Sequence, residues 1–247
     1  MTDLISLTII AFAFALGGFV KGFAGMGLPV ITVAVLTFAF GLPTAVMLMA
    51  VPGLVTNVWQ ALGGSETREA FRRILPFLAA CCAFVWFGTG ILISSDPDVL
   101  VLFLGALLAA YATLLIVGVR VEVPARQEWW MGPVFGSING VACGITGITS
   151  VPSVLYVNGL SMPRERMIQA MGMLFGLSYV AIVASLWIRD ALVLQTSWLS
   201  ALAVLPALGG MWLGRRARLT TSEATFRHWF NWFLLAAGLY MVVRSAL

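Results

Sequence analysis

The chain has 247 residues, 61% of them hydrophobic and only 10% charged, with a mean hydropathy of +1.01. Soluble domains carry about 25% charged residues, and no core hides this much apolar surface behind so few polar groups, so a soluble globular protein is excluded. The formal net charge of +4 rests on 14 basic residues, all arginine except Lys21; their position in short segments between apolar runs marks topology signals and lipid-headgroup contacts, not a nucleic-acid surface.

The apolar runs occupy 4–40, 44–62, 74–94, 99–119, 131–158, 167–188, 197–213 and 229–246. Most are long enough to cross a hydrocarbon core of about 30 Å. None alternates with period two, which excludes a β-barrel. The expected class is an all-α polytopic membrane protein, a single integral membrane domain over residues 1–247. The first residues, MTDLISL, lack the basic segment of a secretory signal, so they are read as retained. Cys81, Cys82 and Cys143 lie inside apolar runs without metal-ligand spacing and read as packing residues.

The first run is too long for one span, because 37 residues of helix would reach about 55 Å. Within it, GFVKGFAGMGLP at 18–29 carries a cluster of glycines that ends at Pro29. The fifth run is interrupted in the same way by GSINGVACGITGITSVP at 136–152. After each break comes a short turn, GLPTAV at 41–46 and SMPRER at 161–166, in which Pro43 matches Pro163. Residues 1–119 and 131–247 thus read as two copies of one unit, an internal symmetry common in transporters.

The arginines choose between two topologies. If each broken run crosses once, giving eight crossings, seven arginines face six and no side is favoured. If each enters and returns on one side as a re-entrant hairpin, loops 63–73, 120–130, 159–166 and 214–228 share a side. That side holds eleven arginines against Arg189 and Arg244 opposite, which is the positive-inside pattern. The expected fold is therefore two inverted repeats, each a re-entrant hairpin plus three transmembrane helices, with both termini periplasmic in an inner membrane.

Irregular backbone survives at membrane depth only where protein or water satisfies it. Two hairpins entering from opposite faces would bring their tips to a midplane site. Pro29 is placed to start a helix, and Thr146, Thr149 and Ser150 are candidate N-caps ahead of Pro152. Helix N-termini offer free N–H donors and partial positive charge, and glycines let those amides approach a ligand. Lys21 is a functional candidate as an intramembrane cation, the alternative being that it snorkels to the headgroups. Every acidic residue falls in the N-terminal tail or a loop, which disfavours a cation pathway and points to an anion. The candidate substrate-binding residues are Lys21, Gly22, Gly25, Met26, Gly27, Asn139, Gly144, Thr146, Gly147, Thr149 and Ser150, with Asn57 and Gln169. The polar side chains Asn57, Asn139 and Gln169 have helix bridging as the alternative. Trp59, Trp86, Tyr156, Tyr179 and Trp187 read as packing or interface aromatics.

GFVKGFAGMGLPVITVAVL at 18–36 resembles the N-terminal glycine motif of the TauE/SafE (sulfite exporter) family. GSINGVACGITGITSVPSVL at 136–155 resembles that family's second copy, and LAVLPALGGMWLGRR at 202–216 resembles its seventh-span glycine pattern. The resemblance covers nearly the whole chain. It departs from the family pattern at Gly27-Leu28-Pro29 and Ile145-Thr146-Gly147, where three consecutive glycines are usual, and at Ala34, where a proline is usual. It implies a transporter, with no cofactor or metal, for sulfite, sulfoacetate, aryl sulfonates or related small anions. With no phosphate-binding GxxxxGK[ST] motif present, transport draws on a gradient. A passive anion channel and a carboxylate transporter stand as alternatives; an intramembrane enzyme has no HExxH, paired carboxylates or Ser-His pair to support it. The partners implied are a small anion and membrane lipid, without nucleic acid.

Overall fold

The structure, a computed structural model, describes residues 3–62, 67–119, 121–191, 194–220 and 222–246. Arg120, counted in the charge argument, lies outside the described residues, as does the side chain of Arg227. The elements in chain order are α1 (Leu4–Ala24), α2 (Leu28–Phe40), α3 (Leu42–Ala61), α4 (Thr67–Ser94), α5 (Pro97–Val117) and α6 (Glu128–Thr146). They continue with α7 (Ser153–Gly159), α8 (Arg164–Ile188), α9 (Leu194–Leu202), α10 (Val204–Ala217) and α11 (Glu223–Ala246). Among the described residues there is no strand. Six helical stretches there are long and apolar enough to cross a membrane: α1, α3, residues 68–94 of α4, α5, α8 and the α9–α10 stretch 196–217. At the chain's start Asp3 caps α1, its carboxylate accepting from Ser6 N at 3.1 Å; these bonds from Ser6 hold the carboxyl below its ordinary range.

Two compact units are present, and each draws on both halves of the chain. One comprises Met1–Met49, Ser95–Val119 and Gln195–Leu247; the other comprises Ala50–Ser94 and Arg120–Leu194. In the second unit α4, α6 and α8 run parallel. Gly136, Gly140 and Gly144 of α6 lie against the carbonyls of Phe77, Cys81 and Val85 of α4, so closely that a Cβ at any of them would overlap those oxygens. Without a hydrophobic force between helices in lipid, such close approach supplies the dispersion energy that holds them together. On α8, Ser178 meets Cys81 at 3.5 Å and Ser185 meets Thr89 at 2.5 Å, which keeps α4 and α8 in parallel register. Antiparallel to α8, the end of α3 is bridged reciprocally: Gln60 donates to Ile168 O at 3.1 Å and Gln169 to Ala61 O at 3.3 Å.

The first unit is built the same way. Gly18 and Gly22 of α1 lie under the carbonyls of Ala207 and Met211, and Gly210 and Gly214 of α10 lie under those of Ala15 and Phe19. These contacts set α1 and α10 parallel. Here too one helix of a hairpin is held to a second helix through glycines at four-residue spacing.

Both glycine-broken runs fold back on themselves. Thr32 Oγ1 of α2 donates to Ala13 O of α1 at 3.2 Å, and Gly17 lies against Leu28 O, so α2 returns toward the end at which α1 began. In the second hairpin, Val123 N, ahead of α6, donates to Gly159 O at the end of α7 at 3.1 Å. Arg73 of α4 ties the same two ends: its guanidinium pairs with Glu128 at the start of α6 and donates to Leu160 O just past α7 at 2.7 Å. Arg166 of α8 joins this end through Glu69 of α4 at 2.9 Å. The described segments 67–73, 121–130 and 159–166 therefore meet at one end of the second unit. A single crossing by residues 131–158 would put 121–130 and 159–166 at opposite ends, whereas here they share one.

Candidate functional site

The second break runs from the end of α6 to the start of α7. Gly147 terminates α6 with φ 67°, and its N–H returns to Cys143 O at 2.7 Å. A left-handed residue there needs glycine. Thr146, the last residue of α6, donates to Ala142 O at 2.7 Å and accepts from Ile148 N at 3.1 Å. The expectation that Thr146, Thr149 or Ser150 caps the following helix is not met. Pro152 occupies the N-cap of α7, and no side chain bonds there, because Thr146 is turned back onto its own helix. Instead Asn139 Oδ1 on α6 receives Ser153 N at 3.2 Å, while its amide donates to Cys81 Sγ at 3.4 Å.

Four of the six carbonyls of this break, residues 147–152, are hydrogen-bonded within the protein. Gly147 O accepts from the hydroxyl of Tyr179 on α8 at 2.6 Å. Thr149 O accepts from Ser153 Oγ at 2.5 Å, Ser150 O from Val154 N at 3.2 Å, and Pro152 O from Leu155 N at 3.0 Å. By contrast, the hydroxyls of Thr149 and Ser150 are fully buried, at 0% and 1% exposure, and have no hydrogen-bond partner. Buried hydroxyls without partners are uncommon and costly. With most acceptors engaged and two hydroxyl donors left over, this segment suits an anion better than a cation, which needs free carbonyls.

The first break differs in detail. Gly25 ends α1 at φ 80° and Gly27 stands at the N-cap of α2 at φ 100°, with Pro29 in the first turn as its position in the sequence implies. Met26 lies between them, half-buried. Lys21 sits one turn before Gly25, in the last turn of α1, with 4% exposure. A snorkelling lysine keeps its ammonium in water, and this one is buried.

The remaining candidates fall elsewhere. Gly22 and Gly144 sit in the two helix seams described above, where neighbouring carbonyls fill the space a side chain would need. Gln169 is the helix bridge between α8 and α3. Asn57, on α3, is buried at 2% exposure beside Gly176 of α8. Two residues shape the second break beyond the candidates: Ser153, which the sequence did not single out, and Tyr179, read there as a packing aromatic. Tyr179 had a legible signal, because a phenol inside an apolar run must find a partner for its hydroxyl.

A sequence profile of the family described as sulfite exporter TauE/SafE matches residues 9–241. No curated protein and no solved structure matches the chain. With the match extending over both glycine-broken hairpins and every helix between them, the chain belongs to the TauE/SafE family of membrane transporters for sulfite and related anions.

Proposed function

We propose that the protein is a secondary transporter that carries a small sulfur-containing anion, an organosulfonate or sulfite, across the inner membrane by alternating access, with both termini periplasmic. The observation that carries this is the pair of buried, unpartnered hydroxyls of Thr149 and Ser150 in a break of which four carbonyls are engaged. A sulfonate presents oxygens that take those two donors. Within its own unit, the first break sets Gly25, Met26 and Gly27 and the buried Lys21 at an α2 N-terminus that carries partial positive charge. Asn139 acts on the substrate indirectly, by fixing where α7 starts.

The anion reading is supported by where the carboxylates lie. Glu69, Asp98, Glu128 and Glu165 all occupy first turns of their helices, at the ends of spans. No described carboxylate sits at mid-span to hold a cation or relay a proton. The arginine distribution supports the orientation, since eleven share the side of loops 63–73, 120–130, 159–166 and 214–228. The choice of sulfur chemistry over carboxylate rests on the family. Thermal unfolding of the purified protein against sulfite, sulfate, sulfoacetate, aryl sulfonates and carboxylates tests it. Stabilisation by at least one sulfonate or by sulfite is expected; stabilisation by carboxylates alone would overturn the substrate class.

A further inference from the structure

α11 has two unlike faces. Leu234, Gly238 and Met241 face inward, and Gly238 packs on Gly105 of α5. A flanking face carries Phe233, Ala236, Ala237, Tyr240 and Arg244, which with Phe38 of α2 line an open groove of about 470 Å³. Phe233, Tyr240 and Phe38 are 51%, 58% and 39% exposed, so the groove opens outward, which for a polytopic membrane protein is toward lipid. The two alanines form a low floor between aromatic walls, and Phe38 and Tyr240 rings stand 5.5 Å apart. Arg244 closes one end, its guanidinium 5.9 Å from the centre of the Phe38 ring. Among the described residues no carboxylate pairs with it.

The dimensions fit one leaflet. From Phe233 to Arg244 is 11 residues of helix, about 16 Å at 1.5 Å per residue, while half of a hydrocarbon core is about 15 Å. Arg244 lies in the last turn of α11, where a headgroup belongs, and the apolar floor runs from it toward the middle of the helix. A guanidinium with no carboxylate partner among the described residues, at a membrane end, attracts a phosphate, and it does so most for a headgroup with net negative charge. A free phosphate would leave the apolar length of the groove unused.

We propose that this groove is a binding site for an anionic phospholipid, its phosphate on Arg244 and one acyl chain over Ala236 and Ala237 between Phe233 and Phe38. The site is separate from the hairpin breaks and does not depend on the transport reading. Delipidated protein in detergent is titrated with phosphatidylglycerol and with phosphatidylcholine of the same chains, and bound lipid is counted by native mass spectrometry. Phosphatidylglycerol is expected to bind about fivefold more tightly, Arg244→Gln to erase that preference, and Ala237→Phe to reduce binding of both lipids by filling the floor. Arg244 is exposed, so Arg244→Gln keeps the fold and decides the matter even if Ala237→Phe does not fold. Equal binding of the two lipids to the unaltered protein, or an unchanged preference in Arg244→Gln, would overturn the proposal. So would a dimer that Ala237→Phe dissociates while lipid binding stays the same, since a second copy would then be the occupant.

Discussion

Replacing Ser150 with alanine and Thr149 with valine removes two hydroxyls that have no partner in the folded chain, and the expected effects on stability and on binding have opposite signs. A buried hydroxyl without a hydrogen bond costs the fold about 1–3 kcal/mol in lost solvation. Neither substitution breaks an internal bond, because the bonds that hold the break run through Thr149 O and Ser150 O, which stay. Each variant is therefore expected to raise the Tm of the ligand-free protein. Bound substrate turns the same hydroxyls into donors to a charged acceptor, worth about 1.5–3 kcal/mol each. Losing one then weakens affinity about 10- to 150-fold. The assay is thermal unfolding in detergent without ligand, paired with titration of the best sulfonate. A variant with lower ligand-free Tm and unchanged affinity would refute the reasoning, because the hydroxyls would then be holding the fold and not a ligand.

Tyr179→Phe is expected to act in the other direction on stability: it strands Gly147 O, now bonded at 2.6 Å, and costs about 1–3 kcal/mol. It also returns a free acceptor to the break, so affinity for the anion falls as well; an unchanged Tm would show that the carbonyl has another donor. Gly140→Leu places a side chain into Cys81 O and drives α6 off α4, so no monodisperse protein is expected on gel filtration. Gly209→Leu, at an exposed glycine with nothing within 4 Å of a Cβ, serves as the control and is expected to purify normally. Lys21→Met is expected to raise the KM for uptake by at least tenfold if the ammonium meets substrate; an unchanged KM would remove Lys21 from the site.

The hairpins were legible because their cause is local. Gly25, Gly27 and Gly147 adopt positive φ, which an L side chain resists, and Pro29 can only start a helix, so the breaks are written in residue types. That segments 67–73, 121–130 and 159–166 share one end of their unit agrees with the arginine count, since lipid imposes that bias without reference to packing. What each glycine approaches was not legible. Gly22 and Gly144 stand beside the breaks in sequence but face carbonyls of α10 and α4, and a glycine signals close approach without naming the partner. The caps failed for a similar reason: Thr146 has the right chemistry for an N-cap but meets Ala142 O first. That four carbonyls of the second break would be engaged while two hydroxyls stay free depends on Tyr179 and Ser153, whose directions only the tertiary structure sets. The two compact units also cut across the two sequence halves, because packing between α1 and α10 and between α4 and α6 joins segments far apart in the chain.

Counterflow in proteoliposomes tests the central claim most directly. Vesicles preloaded with unlabelled sulfonate are expected to take up labelled sulfonate faster than empty ones, and the Thr149→Val/Ser150→Ala double variant is expected to lose that acceleration at the same substrate concentration. Uptake indifferent to internal substrate, or equal in the double variant and the unaltered protein, would contradict a carrier that binds its anion at the second hairpin break.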